Sequence, residues 1–127
     1  MKTGSCLCGA VTFEVSGEMR PSVACHCTQC RKTSGHYWSA TQVPSDRLTL
    51  TRSDGLQWYQ SSPTARRGFC SVCGSSLFWE MESEAATSIG TGTIDGDTGL
   101  HTEKHIFVAD KGDYYEIADR LPQKEQT

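Results

Sequence analysis

The chain has 127 residues, a length suited to one domain, and carries a formal charge of −3 with no dense Lys/Arg block, which argues against a nucleic-acid partner. No apolar run is long enough for a secretory leader or a bilayer span, and the absence of Asn excludes N-glycosylation. The expectation is a single cytoplasmic domain over residues 1–127, with reduced thiols and no membrane partner.

Taken in chain order, short alternating or β-rich runs recur between turn signals. They are AVTFEV (10–15), SVACHC (22–27), YWSATQV (37–43), RLTLT (47–51), LQWYQ (56–60), SLFWEM (76–81), TSIGTGTI (87–94) and KHIFVA (104–109). Turns are expected at SDG (53–55), DGD (95–97) and DKGD (110–113), where Gly supplies positive φ and Asp bonds the local backbone. Two segments read as helical: a short turn over 28–34, and a C-terminal stretch over 113–121 that Pro122 ends. The class is mainly β, several small antiparallel sheets built from hairpins. Trp38, Trp58 and Trp79 fall on these strands and read as packing residues, with Trp38 and Tyr37 also close enough to a cysteine cluster to line a pocket. Asp95 reads as a turn residue, and His101 and His105 as strand surface.

Counted with Gly and without Tyr, apolar residues reach about 43% of the chain, just under the usual ~45–50%. Something besides the core is therefore expected to hold the fold. The seven cysteines supply a candidate. They form three clusters, Cys6-Leu-Cys8-Gly9, Cys25-His-Cys27-Thr-Gln-Cys30 and Cys70-Ser-Val-Cys73-Gly74. An odd number cannot pair completely within one chain, and a reducing compartment disfavours disulfides, so metal binding is the better account.

On a strand, residues i and i+2 face the same way, so Cys-x-Cys aims two sulfurs together; Cys-x-x-Cys does so through a tight turn. Gly9 and Gly74 follow the second cysteine of their clusters, where positive φ lets amides turn toward sulfur. Joining these two clusters gives Cys6, Cys8, Cys70 and Cys73, a closed four-sulfur set suited to structural zinc. A structural zinc contributes on the order of 10–16 kcal/mol, against a net domain stability of roughly 5–15 kcal/mol. A different pairing, in which the middle cluster shares ligands, stays open at this stage.

Cys25, Cys27 and Cys30 then lack a fourth partner. Three protein ligands leave one tetrahedral position vacant, the arrangement of catalytic zinc. Three thiolates make such a zinc electron-rich, poor at generating hydroxide and suited to a further soft ligand such as a substrate thiolate. His26 lies between two of the thiols and should point away from them; His36 is near enough to close the site instead. Residues 1–79 hold every cysteine and carry eight Lys/Arg against four Asp/Glu; residues 80–127 carry four against eleven. Arg31, Lys32, Arg66 and Arg67 are the cations nearest the thiols in sequence and the candidates to admit an anionic thiol.

GSCLCGAVTFEVSG, CHCTQCRKTSG, RRGFCSVCGSSLFW, GTIDGD and KHIFVADKGDYYEIADRLPQ follow one another in an order that resembles the glutathione-dependent formaldehyde-activating enzyme (GFA) family, which includes centromere protein V. The likeness runs from about Gly4 to Gln123. It implies a β-tent fold stapled by zinc, with structural zinc on Cys6, Cys8, Cys70 and Cys73 and catalytic zinc on Cys25, Cys27 and Cys30. It also implies a carbon–sulfur lyase or synthase acting on an S-hydroxymethylglutathione-type adduct, with glutathione or a related small thiol as partner. The competing expectation is a zinc-stapled protein-interaction module without catalysis, as the centromere-protein branch suggests.

Overall fold

A computed structural model describes residues 1–127. Ten strands and one short helix make up the chain: β1 (Lys2–Ser5), β2 (Thr12–Val15), β3 (Ser22–Cys25), α1 (Thr28–Ser34), β4 (Trp38–Pro44), β5 (Leu48–Arg52), β6 (Leu56–Gln60), β7 (Ala65–Cys70), β8 (Ser76–Met81), β9 (Ala86–Gly90) and β10 (Thr102–Ile106). They form a three-stranded sheet in the order β1-β2-β5 and a seven-stranded sheet in the order β10-β3-β4-β9-β8-β7-β6. Pairing is antiparallel except between β10 and β3, which run parallel. The class is mainly β, as the alternation of the sequence predicts.

The two sheets meet over one core. In β2, Phe13 and Val15 alternate inward with Thr12 and Glu14, and the Phe13 ring stands edge-on to Phe78 of β8 at 5.3 Å. Val11, Val43, Leu77, Ile89 and Ile94 complete the cluster, together with the sulfurs of Cys6 and Cys70. Gly4 allows this closeness: a Cβ there would lie 2.3 Å from the Phe13 ring and 2.6 Å from the Thr93 carbonyl oxygen. β9 is buried along nearly its whole length because it sits in the middle of the large sheet, between β4 and β8.

Three departures from the expected elements have local causes. β1 and β7 carry too few apolar residues to announce themselves. In β7 (ARRGFC) the strand is shaped by contact, with buried Gly68 seated where a Cβ would come within 3.0 Å of Trp58 and 3.1 Å of Phe78. The run 87–94 stops being a strand at Gly90 and continues as a 3-10 turn over Thr91–Thr93.

The expected helix over 113–121 does not form. A segment of about nine residues is too short to hold a helix unaided, and its polar groups have partners elsewhere. The Lys111 ammonium donates to the carbonyls of Gly112 and Tyr115, and Asp119 bonds His105. The chain then runs beside β10: the amides of His105 and Phe107 donate to the carbonyls of Pro122 and Gln126, and the Lys124 amide donates to His105. This covers the edge that β10 would otherwise leave open.

Candidate metal centres

The first centre joins the two sheets. Cys6 follows β1, Cys8 sits in the turn after it, and Cys70 ends β7, three residues before Cys73. Their four sulfurs all lie within 4.8 Å of one another, with Cys8 Sγ 3.7 Å from both Cys6 Sγ and Cys70 Sγ. Gly9 and Gly74 have φ of +84° and +83°. Neither would clash if given a Cβ, so the requirement there is backbone direction rather than space. The Val11 amide donates to Cys6 Sγ at 3.3 Å and the Cys73 amide to Cys70 Sγ at 3.5 Å. Ser75 Oγ lies 3.2 Å from Cys73 Sγ, and that contact, with the Ser75 amide, draws the Cys73 thiol down to about 5. Backbone and hydroxyl donors thus converge on sulfur as they would on thiolates.

The second centre is built by β3 and α1. Cys25 ends β3 opposite Trp38, Cys27 caps α1, and Cys30 lies in its first turn with its side chain buried. Cys27 has extended backbone, and its sulfur accepts the Cys30 amide at 3.3 Å, which places a thiol where a Ser or Asp cap commonly sits. The three sulfurs lie within 4.8 Å of one another, and no His, Asp, Glu or further Cys joins the group. His26 is buried on the other side of the chain, and His36 packs tilted against Tyr37 and edge-on to Tyr115.

Charge at this cluster is lopsided. Hydrogen bonds from Cys25 and Cys30, helped by the Cys30 amide and Arg67, pull the Cys27 thiol down to about 2. The same contacts push Cys25 far above the ordinary thiol range. Charge on one of these sulfurs opposes charge on its neighbours, and a cation among the three would relieve that opposition. Such a soft donor set fits zinc.

Of the four cations proposed from sequence, Arg67 reaches the site: its Nη2 lies 3.5 Å from Cys30 Sγ, its Nε donates to Gln29, and its guanidinium lies 5.9 Å from the centre of the Trp38 ring. Arg66 turns to Glu80 at 2.7 Å and covers Trp58 at 3.8 Å. Lys32 is exposed.

A cavity of about 630 Å³ opens beside the three sulfurs, of a size to admit a small ligand. Trp38, Trp79 and Met81 give it an apolar wall, while Arg20, Arg67 and Lys104 bring three cations against Glu84 and Asp110. Trp79, read from sequence as a packing residue, is a cavity wall, and so is Trp38, which the sequence also offered as a pocket residue. Phe107 borders the same space with φ of 54°, a backbone conformation that is strained for a bulky residue.

Sequence reasoning missed the surroundings of His26 and misplaced His105. His105 is not strand surface; it is 5% exposed and bonded to both His26 and Asp119. Its partners lie 79 and 14 residues away, and no local pattern marks them.

A mainly β chain with one four-thiol and one three-thiol cluster, the latter facing a cavity, defines a protein equipped to hold metal through cysteine and to receive a small ligand beside it. The chain belongs to the glutathione-dependent formaldehyde-activating enzyme family, whose profile matches residues 1–110. A Halomonas elongata protein that bears the family's name as a provisional assignment is 33% identical, over 92% of this chain and 81% of its own. An uncharacterized lyase of Schizosaccharomyces pombe is 27% identical over 92% of this chain and 85% of its own. A crystal structure of a Rhodobacter sphaeroides protein superposes with a TM-score of 0.65 at 25% identity, covering 79% of this chain and 97% of that one.

Proposed function

We propose that this chain is a zinc-dependent carbon–sulfur lyase or synthase, a single β-tent domain over residues 1–127 that works in the cytoplasm on a glutathione–aldehyde adduct of the S-hydroxymethylglutathione type. In this reading Cys6, Cys8, Cys70 and Cys73 hold a structural zinc that ties the small sheet to the large one. Cys25, Cys27 and Cys30 hold the catalytic zinc. The observation that carries the reading is a trio of sulfurs within 4.8 Å, without a fourth protein ligand, beside a cavity of about 630 Å³.

Zinc held by Cys25, Cys27 and Cys30 would supply a soft acceptor able to lower the pKa of an incoming thiol and orient its sulfur. The chain's own residues do the rest. Trp38 and Trp79 screen the sulfur end from water, and Arg67 sets a positive charge against the thiolates. Arg20 and Lys104 favour the carboxylates of a peptide thiol such as glutathione. In the forming direction the thiol sulfur bonds to the carbonyl carbon, the carbonyl π pair moves to oxygen, and the proton given up by the thiol ends on that oxygen. Cleavage is the reverse.

Thermal unfolding of zinc-loaded protein with and without glutathione tests the reading. Glutathione is expected to raise the melting temperature of the wild type and to leave that of Cys27→Ser unchanged. No shift in the wild type, with both metals fully ligated by the protein, would sink the enzyme and leave the interaction module.

A further inference from the structure

His26 stands between two of the candidate ligands, and the way it is held is unusual for a filler residue. Its side chain is 0% exposed. Its Nε2 lies 2.8 Å from His105 Nδ1 and its Nδ1 lies 2.5 Å from the Tyr115 hydroxyl oxygen. His105 Nε2 reaches Asp119 at 2.9 Å and 3.2 Å to the two carboxylate oxygens. With both imidazoles neutral, one assignment satisfies every atom: His105 Nε2–H donates to Asp119, His26 Nε2–H donates to His105, and the Tyr115 hydroxyl donates to His26.

The backbone is held at the same point. The His26 amide donates to the Ile106 carbonyl at 3.0 Å, and Cys25 pairs in register with Ile106. The Tyr115 ring lies 5.6 Å from the His26 ring at an interplanar angle of 23°, and Tyr37 meets the same ring at 5.0 Å. An apolar side chain would fill this space without the cost of desolvating polar groups. A fully satisfied polar chain instead specifies one arrangement. His26 directly follows β3 and Cys27 keeps extended backbone, so fixing His26 on one side fixes Cys25 and Cys27 on the other.

We propose that Asp119, His105 and Tyr115 are positioning residues. Acting through His26, they clamp the Cys25–Cys27 turn so that the C-terminal segment sets the geometry of the three-thiol metal site. The proposal rests on the reading of that cluster as a metal centre.

The test uses the full zinc-loaded chain and the variants His105→Leu, His105→Gln and Tyr115→Phe. Zinc is withdrawn by a graded chelator and counted per protein, and the absorption of the cobalt-substituted forms is recorded. His105→Leu is expected to weaken zinc at the three-thiol cluster by at least about tenfold, the lower end of the effect of removing a supporting partner, and to shift the cobalt bands. Tyr115→Phe should do the same to a lesser degree. His105→Gln, whose amide can donate to Asp119 and accept from His26, should restore most of the affinity. The four-thiol cluster serves as internal control. Unchanged release from the three-thiol cluster, equal loosening of both clusters, or no rescue by Gln would overturn the proposal. If the wild type holds only one zinc, the catalytic reading fails, and amide exchange over residues 26–30 decides the clamp by itself. Faster exchange in His105→Leu with recovery in Gln supports it, and exchange like that of the wild type overturns it.

Discussion

Arg67 Nη2 lies 3.5 Å from Cys30 Sγ. Arg67 comes from β7, 37 residues beyond Cys30 in sequence, and it is the cation that meets these sulfurs. In the proposed function its charge would offset that of the cluster and of an arriving thiolate. A hydrogen bond to a charged group is worth about 1.5–3 kcal/mol. Arg67→Ala is therefore expected to weaken glutathione binding roughly tenfold, the equivalent of about 1.4 kcal/mol, with little loss of fold because the side chain is half-buried. Calorimetric titration of the zinc-loaded variant checks this. Arg67→Lys should recover part of the loss, since it restores the charge and not the planar fork.

Cys27 caps α1 and, in the proposed function, also holds metal, and substitution can separate the two roles. As helix cap it accepts the Cys30 amide, and Ser performs that task well. As metal donor it cannot be replaced by a hydroxyl. Cys27→Ser is expected to keep the far-ultraviolet circular dichroism of the wild type while its zinc content drops from two ions per chain to one. Two zinc ions in the variant would mean that this sulfur is not a ligand.

Cys70 is fully buried, and its four-thiol partners come from segments 62 or more residues earlier and three later. Cys70→Ser removes the donor at the point where the two sheets are tied. With a structural zinc comparable in worth to the whole net stability of a domain, the variant is expected to be largely unfolded at room temperature. Adding a strong chelator to the wild type should produce the same state. A cooperative melt near the wild-type temperature in Cys70→Ser would contradict the role of this cluster as a staple.

Gly55 offers a milder test of the same junction. A Cβ there would come within 2.8 Å of Cys70 Sγ and 2.9 Å of Ala10 Cβ. The backbone cannot move aside easily, since the Gly55 amide donates to Ala10 and its carbonyl accepts from Ser71. Gly55→Ala is expected to cost about 1–3 kcal/mol, the range for overpacking, and to make the four-thiol cluster release zinc first in chelator titrations. Denaturant unfolding of the zinc-loaded variant measures it.

The parts of the site legible in the sequence were those whose spacing is itself the geometry. CxCG and CxxCG predict the positive φ at Gly9 and Gly74, and CHCTQC predicts the strand-to-helix step that puts three sulfurs on one side and His26 on the other. What could not be read depends on tertiary approach. Choosing Arg67 over Arg66 is a matter of which face of β7 meets α1, and both residues look alike in ARRGFC. The segment over 113–121 has helical composition, yet Tyr115 and Asp119 bond His26 and His105 outside it, and Lys111 just before it donates to the Tyr115 carbonyl. Gly55 looks like an ordinary turn glycine until Cys70 is placed beside it.

Asp119 provides a prediction in pH. The hydrogen bond from His105, supported by the Leu121 amide, holds its carboxyl below the ordinary 3.8. A group whose folded pKa is depressed adds stability above its unfolded value and loses it as pH falls through the folded one. The advantage of wild type over Asp119→Asn in melting temperature is therefore expected to be full at neutral pH and to vanish as pH drops below about 3.8. Acid also strips metal from thiolates, so zinc content is followed in both proteins and the difference between them is read only where both keep their metal. A difference that stays constant through the acid range would mean that Asp119 acts through shape alone. No difference at any pH would mean that its bond to His105 carries no weight in holding the C-terminal segment.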